Sequence, residues 1–387
     1  MLLIASQSLK SAPMLTDLAR EMSLPASFFS TPAKLTSLLE RSSRRLVILG
    51  DQEIVAGNIE VLRRASSRTG LAVLLVADRA RVASSDRASL LDEIQEIDNL
   101  EWVGAAPDRD ALHKSATRSR RRLLRSTRGD IERAFDNFEF VVRYQPKVER
   151  AGEQEWRTRE AEALIRWKHP EHGLVGPSEF LPEIDAYGHM GRLTEFVLRK
   201  SAAQLAAWHE QGLRLTACVN LASSLLNEPG IAARYASAVR EFGFGPEYFT
   251  FEVIEQAYAE PDAPHVRTLN ELRAEGFRLC LDDFRVAAAS LSSLEKVPFD
   301  EIKIHAAALR KAQDDPTARA VLAAVTGLAH NLGMSVCAEG VEDQATFEFL
   351  KTIRCDKMQG FLISEAVLPH IIRSVYSTKD MDVGDVA

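Results

Sequence analysis

Eight polar side chains interrupt the apolar runs in the second half of this 387-residue chain: Glu162, Asn220, Glu252, the pair Asp282 and Asp283, Lys303, Glu339 and Gln359. Each lies within or at the end of an apolar stretch of strand length, one or two to a stretch. Five of the eight are carboxylates, and Lys303 and the nearby Arg166 do not balance them. Charges in such places must be paired or must hold a metal. An oxygen-rich set with one lone amide, and no thiolate or imidazole among the strand-end residues, suits Mg2+ or Mn2+ better than zinc. The adjacent Asp282 and Asp283 are what a two-ion site needs, because one carboxylate can bridge the ions while its neighbour holds the second. Two ions about 4 Å apart activate a water and stabilise the leaving oxygen of an in-line displacement at phosphorus. The chemistry indicated is phosphodiester cleavage, with Lys303 orienting the water or offsetting developing charge and Arg166 clamping a phosphate.

Such a set needs a scaffold that brings seven strand ends to one place. From Phe138 onward, strand-like runs alternate with amphipathic helices: FEFVVRYQ, AEALIRW, LTACVNL, YFTFEVI, RLCLDDF, FDEIKI, MSVCAEG and KMQGFLI. Eight strands with seven intervening helical segments predict a (β/α)8 barrel, whose strand ends converge on a single mouth. The helices carry their own signals. Leu193, Phe196, Val197, Leu205 and Trp208 share one helical face. Gly212, Gly243, Gly276 and Gly333 follow helical stretches where a left-handed C-cap is wanted. An open doubly wound sheet is the architectural alternative.

The first third has a different character. Apolar runs at Leu2 to Ala5, Phe28-Phe29, Leu46 to Leu49, Val73 to Ala77 and Trp102-Val103 alternate with helical segments, which predicts a small doubly wound α/β domain. Its order resembles a response-regulator receiver domain. A working receiver holds magnesium on acidic residues after its first strand, accepts phosphate on an aspartate at the end of the third, and carries a lysine after the fifth. Here Ser6-Gln7-Ser8, Gly50-Asp51 and Gly104-Ala105-Ala106 occupy those places. The reading is a pseudo-receiver kept for dimerisation or partner contact, with Asp51 as the one alternative acceptor. Between Asp108 and Asp136 the sequence is Arg-rich and helical, with Leu112, Leu123, Leu124 and Ile131 as sparse apolar positions, and reads as a connector. The run Arg118-Ser119-Arg120-Arg121-Arg122 reads as the solvated face of that helix. The expected domains are residues 1–110, a linker at 111–135, the barrel at 136–375 and a tail at 376–387.

Bulk properties exclude several classes. The net charge of −7 argues against broad nucleic-acid binding, so no DNA partner is expected. No apolar stretch has bilayer length, and MLLIASQSLK lacks a basic lead and a cleavage-like site. A cytoplasmic protein without a membrane span is expected. Cys218, Cys280, Cys337 and Cys355 form no CxxC pair, and three fall in strand-like runs, as buried thiols do.

Residues 162–170, EALIRWKHP, resemble the EALLRWxHP of the EAL domains, enzymes that linearise cyclic di-GMP. The resemblance continues along residues 136–370. Residues 178–182, SEFLP, are similar to the family's EFIP, Val219-Asn220-Leu221-Ala222 to its VNLS, and Phe251-Glu252-Val253-Ile254-Glu255 to its ExTE. Leu281-Asp282-Asp283-Phe284 is similar to DDF, Ile302-Lys303-Ile304 to KID without its aspartate, 338–342 to AEGVE, and Gln359-Gly360-Phe361 to QGY. The resemblance implies an EAL-type barrel in which Glu162, Asn220, Glu252 and Asp282 ligate a first Mg2+ or Mn2+ ion and Asp283 chiefly holds a second. It implies that Lys303 and Glu339 manage the attacking water, that Arg166, Gln359 and Leu164 contact the substrate or its surroundings, and that Glu255 steadies the loop after Asp283. A homodimer is the assembly it suggests.

The resemblance fails in three places. The family continues GTGYSSL after DDF, where this chain has Arg285-Val286-Ala287-Ala288-Ala289-Ser290-Leu291. His305 replaces the aspartate of KID, and Ser364-Glu365-Ala366 replaces a Ser-basic-Pro stretch. Two readings follow: a hydrolase, slow or dependent on its N-terminal domain, and a catalytically silent cyclic di-GMP receptor or protein-interaction module. Retention of Lys303 and Glu339 favours the hydrolase.

Overall fold

The computed structural model describes residues 2–6, 9, 13–22, 24–40, 45–66, 71–79, 82, 90–95, 97, 99–104, 107–124, 126–151, 155–254, 264–284, 297 and 299–376; at residues 2, 13, 14, 16, 21, 66, 92, 95, 123, 264, 283, 284, 375 and 376 it describes the backbone alone. The chain divides into two compact units, residues 1–141 with 166–187 and residues 142–165 with 188–387.

The first unit carries a parallel sheet of five strands, β1 (Leu2–Ser6), β2 (Ala26–Phe29), β3 (Arg45–Gly50), β4 (Leu71–Val76) and β5 (Leu100–Trp102), in the order β2-β1-β3-β4-β5. Each expected strand is present. In β3 and β4 every residue is buried, the near-continuous apolar run that a parallel sheet covered on both faces requires. Alternate residues serve opposite faces. Ile4, Val47, Val73 and Leu75 pack with Leu35, Leu38, Ile59 and Leu62. Leu3, Leu46, Ile48 and Leu74 pack with Leu15, Leu18, Leu112 and Ala116.

That second face corrects the reading of the Arg-rich stretch. It forms two helices, Arg109–Leu124 and Arg128–Asp136, and the first buries Leu112 and Ala116 in the core of the small sheet. One helical turn further on, Arg120 lies on the same stripe and is 1% exposed. Its guanidinium donates to the Met22 carbonyl at 3.1 Å and lies 2.8 Å from Glu179 of the helix Pro177–Ala186. Arg118, Arg121 and Arg122 are exposed, as a solvated run would be, whereas Ser119 and Arg120 are not.

The second sheet closes on itself. Its strands are β6 (Phe140–Arg150), β7 (Trp156–His169), β8 (Gly173–Val175), β9 (Thr216–Asn220), β10 (Phe249–Ile254), β11 (Arg278–Phe284), β12 (Glu301–Ile304), β13 (Ser335–Glu339) and β14 (Lys357–Gln359). The order β6-β14-β13-β12-β11-β10-β9-β7, with a β6–β7 pairing, makes an eight-stranded barrel; β8 is an antiparallel addition to β7. From β7 through β14 the ring is parallel, but β6 runs antiparallel to β14. Among the described residues no helix lies between the first two barrel strands, where one was expected. Only residues 151–155 separate β6 from β7, fewer than a crossover needs, and a short connection joins neighbours of opposite direction. Gly212, Gly243, Gly276 and Gly333 adopt φ of +83°, +80°, +108° and +76°, so the expected left-handed ends are found. All four cysteines are buried and unpaired. Among the described residues no helix is long and apolar enough to cross a membrane.

Candidate functional site

The carboxyl ends of the parallel barrel strands each deliver one polar group. Glu162 comes from β7, Asn220 from the last position of β9, Glu252 from β10, Asp282 from β11, Lys303 from β12, Glu339 from the end of β13 and Gln359 from the end of β14. Strand alternation selects them, since every second residue of a barrel strand faces inward. Their shared centre is the Lys303 ammonium. It donates to Glu162 Oε2 at 3.1 Å and Glu252 Oε2 at 3.0 Å, and lies 3.3 Å from Glu339 Oε2 and 4.0 Å from Asp282 Oδ1. Glu162 is further held by Asn220 Nδ2 at 2.9 Å on Oε1 and Gln359 Nε2 at 2.9 Å on Oε2.

Burial grades the site from floor to rim. Lys303 is 2% exposed and Glu252 2%, whereas the side chains of Asp282 and Glu339 are 19% and 25% exposed. On β7, Glu162, Leu164 and Arg166 alternate on one strand face, with Leu164 and Arg166 half-buried. Asp283 is the penultimate residue of β11, with only its backbone described, and Glu255 and the loop 285–289 lie outside the described residues. His305 caps the helix Ala306–Asp314 by accepting the Ala307 N–H on Nδ1 at 3.1 Å, and its Nε2 lies 3.5 Å from Glu339 Oε1.

These distances set the charge states. Burial, and then the Glu162 charge, push the Glu252 carboxyl up to about 7 against the pull of Lys147 and Lys303. Burial would raise Glu162 too, but Lys303 and Lys147, with the Gln359 and Asn220 hydrogen bonds, hold it well below the usual carboxylate range. Burial opposes the Lys303 ammonium, yet Glu162 and Glu252 keep it charged, with a pKa well above the ordinary value. The four carboxylates therefore crowd together around Lys303, with Lys147 reaching only Glu252 from beneath, and a divalent ion would relieve their repulsion. An all-oxygen donor set with one amide fits Mg2+ or Mn2+. Among the described residues no three such groups stand as a finished metal cage. The carboxylate oxygens surround Lys303 at ammonium distances of 3.0 to 4.0 Å rather than at the roughly 2.0–2.6 Å of coordination.

The structure adds a second charged group that the motif reading missed. Two residues before Glu162, Lys303 and Gln359, and so on the same faces of β7, β12 and β14, lie Glu160, Glu301 and Lys357. Lys357 Nζ reaches Glu160 Oε2 at 3.0 Å and Glu301 Oε2 at 2.8 Å. Lys147 of β6 extends its fully buried ammonium between this group and Glu252, which it meets at 2.6 Å. The signal was available as charged residues at i−2 from each site residue. Gln145, on the same strand, accepts from Gln359 Nε2 at 3.0 Å.

Comparison with known proteins places this arrangement. The EAL domain family matches residues 128–366. The chain belongs to the EAL domain family. The Pseudomonas aeruginosa protein named bifunctional diguanylate cyclase/cyclic di-GMP phosphodiesterase MucR is 32% identical over 236 residues, 60% of this chain and 34% of that protein. Among solved structures, the PaMucR phosphodiesterase in its c-di-GMP complex aligns with a TM-score of 0.59 at 29% identity, covering 63% of this chain and 98% of that one. The Klebsiella pneumoniae BlrP1 manganese/cy-diGMP complex aligns with a TM-score of 0.53 at 27% identity, covering 60% and 56%. The EAL chain described here covers 29% to 35% of the length of three curated relatives.

Proposed function

We propose that this EAL barrel is a metal-dependent phosphodiesterase that opens cyclic di-GMP to linear pGpG. The observation that carries the proposal is the convergence of Glu162, Glu252, Asp282 and Glu339 on one buried ammonium, an electronegative oxygen cluster at the carboxyl ends of barrel strands. Glu162, Asn220, Glu252 and Asp282 would hold one Mg2+ or Mn2+, with Asp282 shared and Asp283 as the main holder of a second. When bound, the ions offset phosphate charge and make water acidic enough to attack at neutral pH. Lys303 keeps its proton and faces the charge developing at phosphorus. Glu339, at the exposed rim, is placed to take the proton of the attacking water. The water oxygen would bond to phosphorus as its proton passes to Glu339, the ring P–O bond to the ribose 3′ oxygen would break, and that oxygen would take up a proton from solvent at the rim. Arg166, Leu164 and Gln359 would contact the nucleotide.

We further propose barrel limits near residues 136 and 375, and a pseudo-receiver role for the N-terminal sheet, as a dimerisation or partner surface. Its strand order is that of the flavodoxin-like doubly wound folds. Four buried, unpaired cysteines accord with a reducing, cytoplasmic setting.

The test is incubation of the purified chain with cyclic di-GMP and Mn2+ or Mg2+, with chromatography for pGpG and a parallel binding measurement. Product is expected, and Glu162→Ala is expected to abolish it. Micromolar binding without product would select the silent-receptor reading; neither binding nor product would remove both.

A further inference from the structure

Lys147 has no place in the phosphodiesterase reading above, yet its ammonium lies under the site with 0% exposure. It donates to Glu252 Oε1 at 2.6 Å and to Cys218 Sγ at 3.0 Å. The other two carboxylates within reach share a nearer cation. Glu160 and Glu301 bind Lys357 at 3.0 and 2.8 Å and receive hydroxyl hydrogen bonds from Thr250 and Ser335, both at 3.1 Å. Lys147 stands 3.6 and 3.9 Å from them. Its short contact is therefore with the carboxylate that faces the mouth.

That contact divides the two oxygens of Glu252. Oε1 is engaged from below by Lys147, and Oε2 is turned to Lys303 and the other site carboxylates. Packing alone does not call for a cation at this place, because a thioether side chain of similar length would fill the volume without the desolvation that a buried ammonium suffers. Carboxylates that hold metals are themselves oriented by hydrogen bonds behind them, and losing such a partner costs about 10–100-fold in metal affinity or activity.

We propose that Lys147 is a positioning residue of the metal site, fixing Glu252 through Oε1 so that Oε2 alone is presented to a divalent cation. The inference rests on the metal-dependent reading of the barrel. It is tested on the full chain by titration with Mn2+, with the free ion followed by its paramagnetic resonance signal and without nucleotide present. Lys147→Met is expected to weaken Mn2+ binding by about 10–100-fold. Thr250→Val, which removes a hydrogen bond from Glu160 in the same buried interior, is expected to leave Mn2+ affinity unchanged, so a general disturbance of the barrel floor would be recognised. Turnover of the methionine variant is expected to recover as Mn2+ is raised to saturation. If the unaltered chain binds no Mn2+, the metal reading falls and this inference with it. If the unaltered chain binds and Lys147→Met binds equally, or if Thr250→Val loses as much, the positioning role alone is overturned. Should the methionine variant not fold, Lys147→Gln, which keeps an N–H donor toward Glu252 without the charge, is expected to hold Mn2+ affinity close to that of the unaltered chain, and a loss of about tenfold or more overturns a role carried by that hydrogen bond.

Discussion

Glu252 is the residue on which the electrostatics of the site turn. It is pressed by Glu162 and gripped by two ammonium groups, and burial and Glu162 outweigh the lysines, raising its pKa from the ordinary 4.5 to about 7. A carboxyl raised in the folded state binds its proton more tightly there than in the unfolded chain. Its contribution to stability is complete below the unfolded value of 4.5 and is lost as pH rises through 7. Glu162 and Glu160 act in the opposite sense, since their lowered values cost stability as pH falls below the ordinary carboxylate range. The chain freed of metal by chelation is therefore expected to be most stable near pH 5 and to lose on the order of 3 kcal/mol by pH 8. Urea midpoints across that range check the sign, and a midpoint that rises from pH 5 to 8 would refute it. A divalent cation must displace that proton, so Mn2+ affinity is expected to climb between pH 6 and 8 with proton release, measurable by calorimetry in buffers of different ionisation enthalpy.

At the scale of elements, the site was legible because its residues break a pattern. A carboxylate at the end of an apolar strand is costly anywhere except at a shared polar mouth, so Glu162, Glu252, Asp282, Lys303 and Glu339 could be grouped before any strand was seen. Lys147, Glu160, Glu301 and Lys357 also break the pattern, but they are balanced among themselves and so left no surplus charge to explain. The reversed β6 was hidden because direction leaves no trace in an apolar run; the brevity of residues 151–155 was its one sign. Arg120 was hidden among exposed arginines, and only its spacing from Leu112 and Ala116 marks it as inward-facing. Its pairing with Glu179 joins the helices Arg109–Leu124 and Pro177–Ala186. Burial lowers the pKa of Arg120 and raises that of Glu179, and each opposes the shift of the other. Arg120→Met, which strands a buried carboxylate, is expected to cost about 3–5 kcal/mol by chemical denaturation. Adding Glu179→Gln, which keeps the acceptor for the Gly176 N–H, is expected to restore most of that loss. Equal stability of the single and double variants would deny the pair its role.

At the scale of the whole molecule, the question is whether the small sheet receives a phosphate or only a partner. Phosphoryl transfer to an aspartate needs a magnesium ion beside it, held by carboxylates at the end of the first strand. In this chain that strand ends in Ser6, which is 0% exposed and accepts the Gly50 N–H through its hydroxyl at 3.0 Å. The residue that a receiver would use to approach the metal instead ties the ends of β1 and β3 together. Asp51 opens a short helical turn, Asp51–Glu53, immediately after β3. Incubation of the full chain with Mg2+ and a small phosphoryl donor is therefore expected to leave it unmodified by mass spectrometry and to leave the proposed turnover of cyclic di-GMP unchanged. Stoichiometric phosphate on Asp51 would overturn the pseudo-receiver reading. An unmodified chain would fit the proposed pseudo-receiver role, in which a surface of this domain, and not a covalent mark on Asp51, meets a second copy of the chain or another protein.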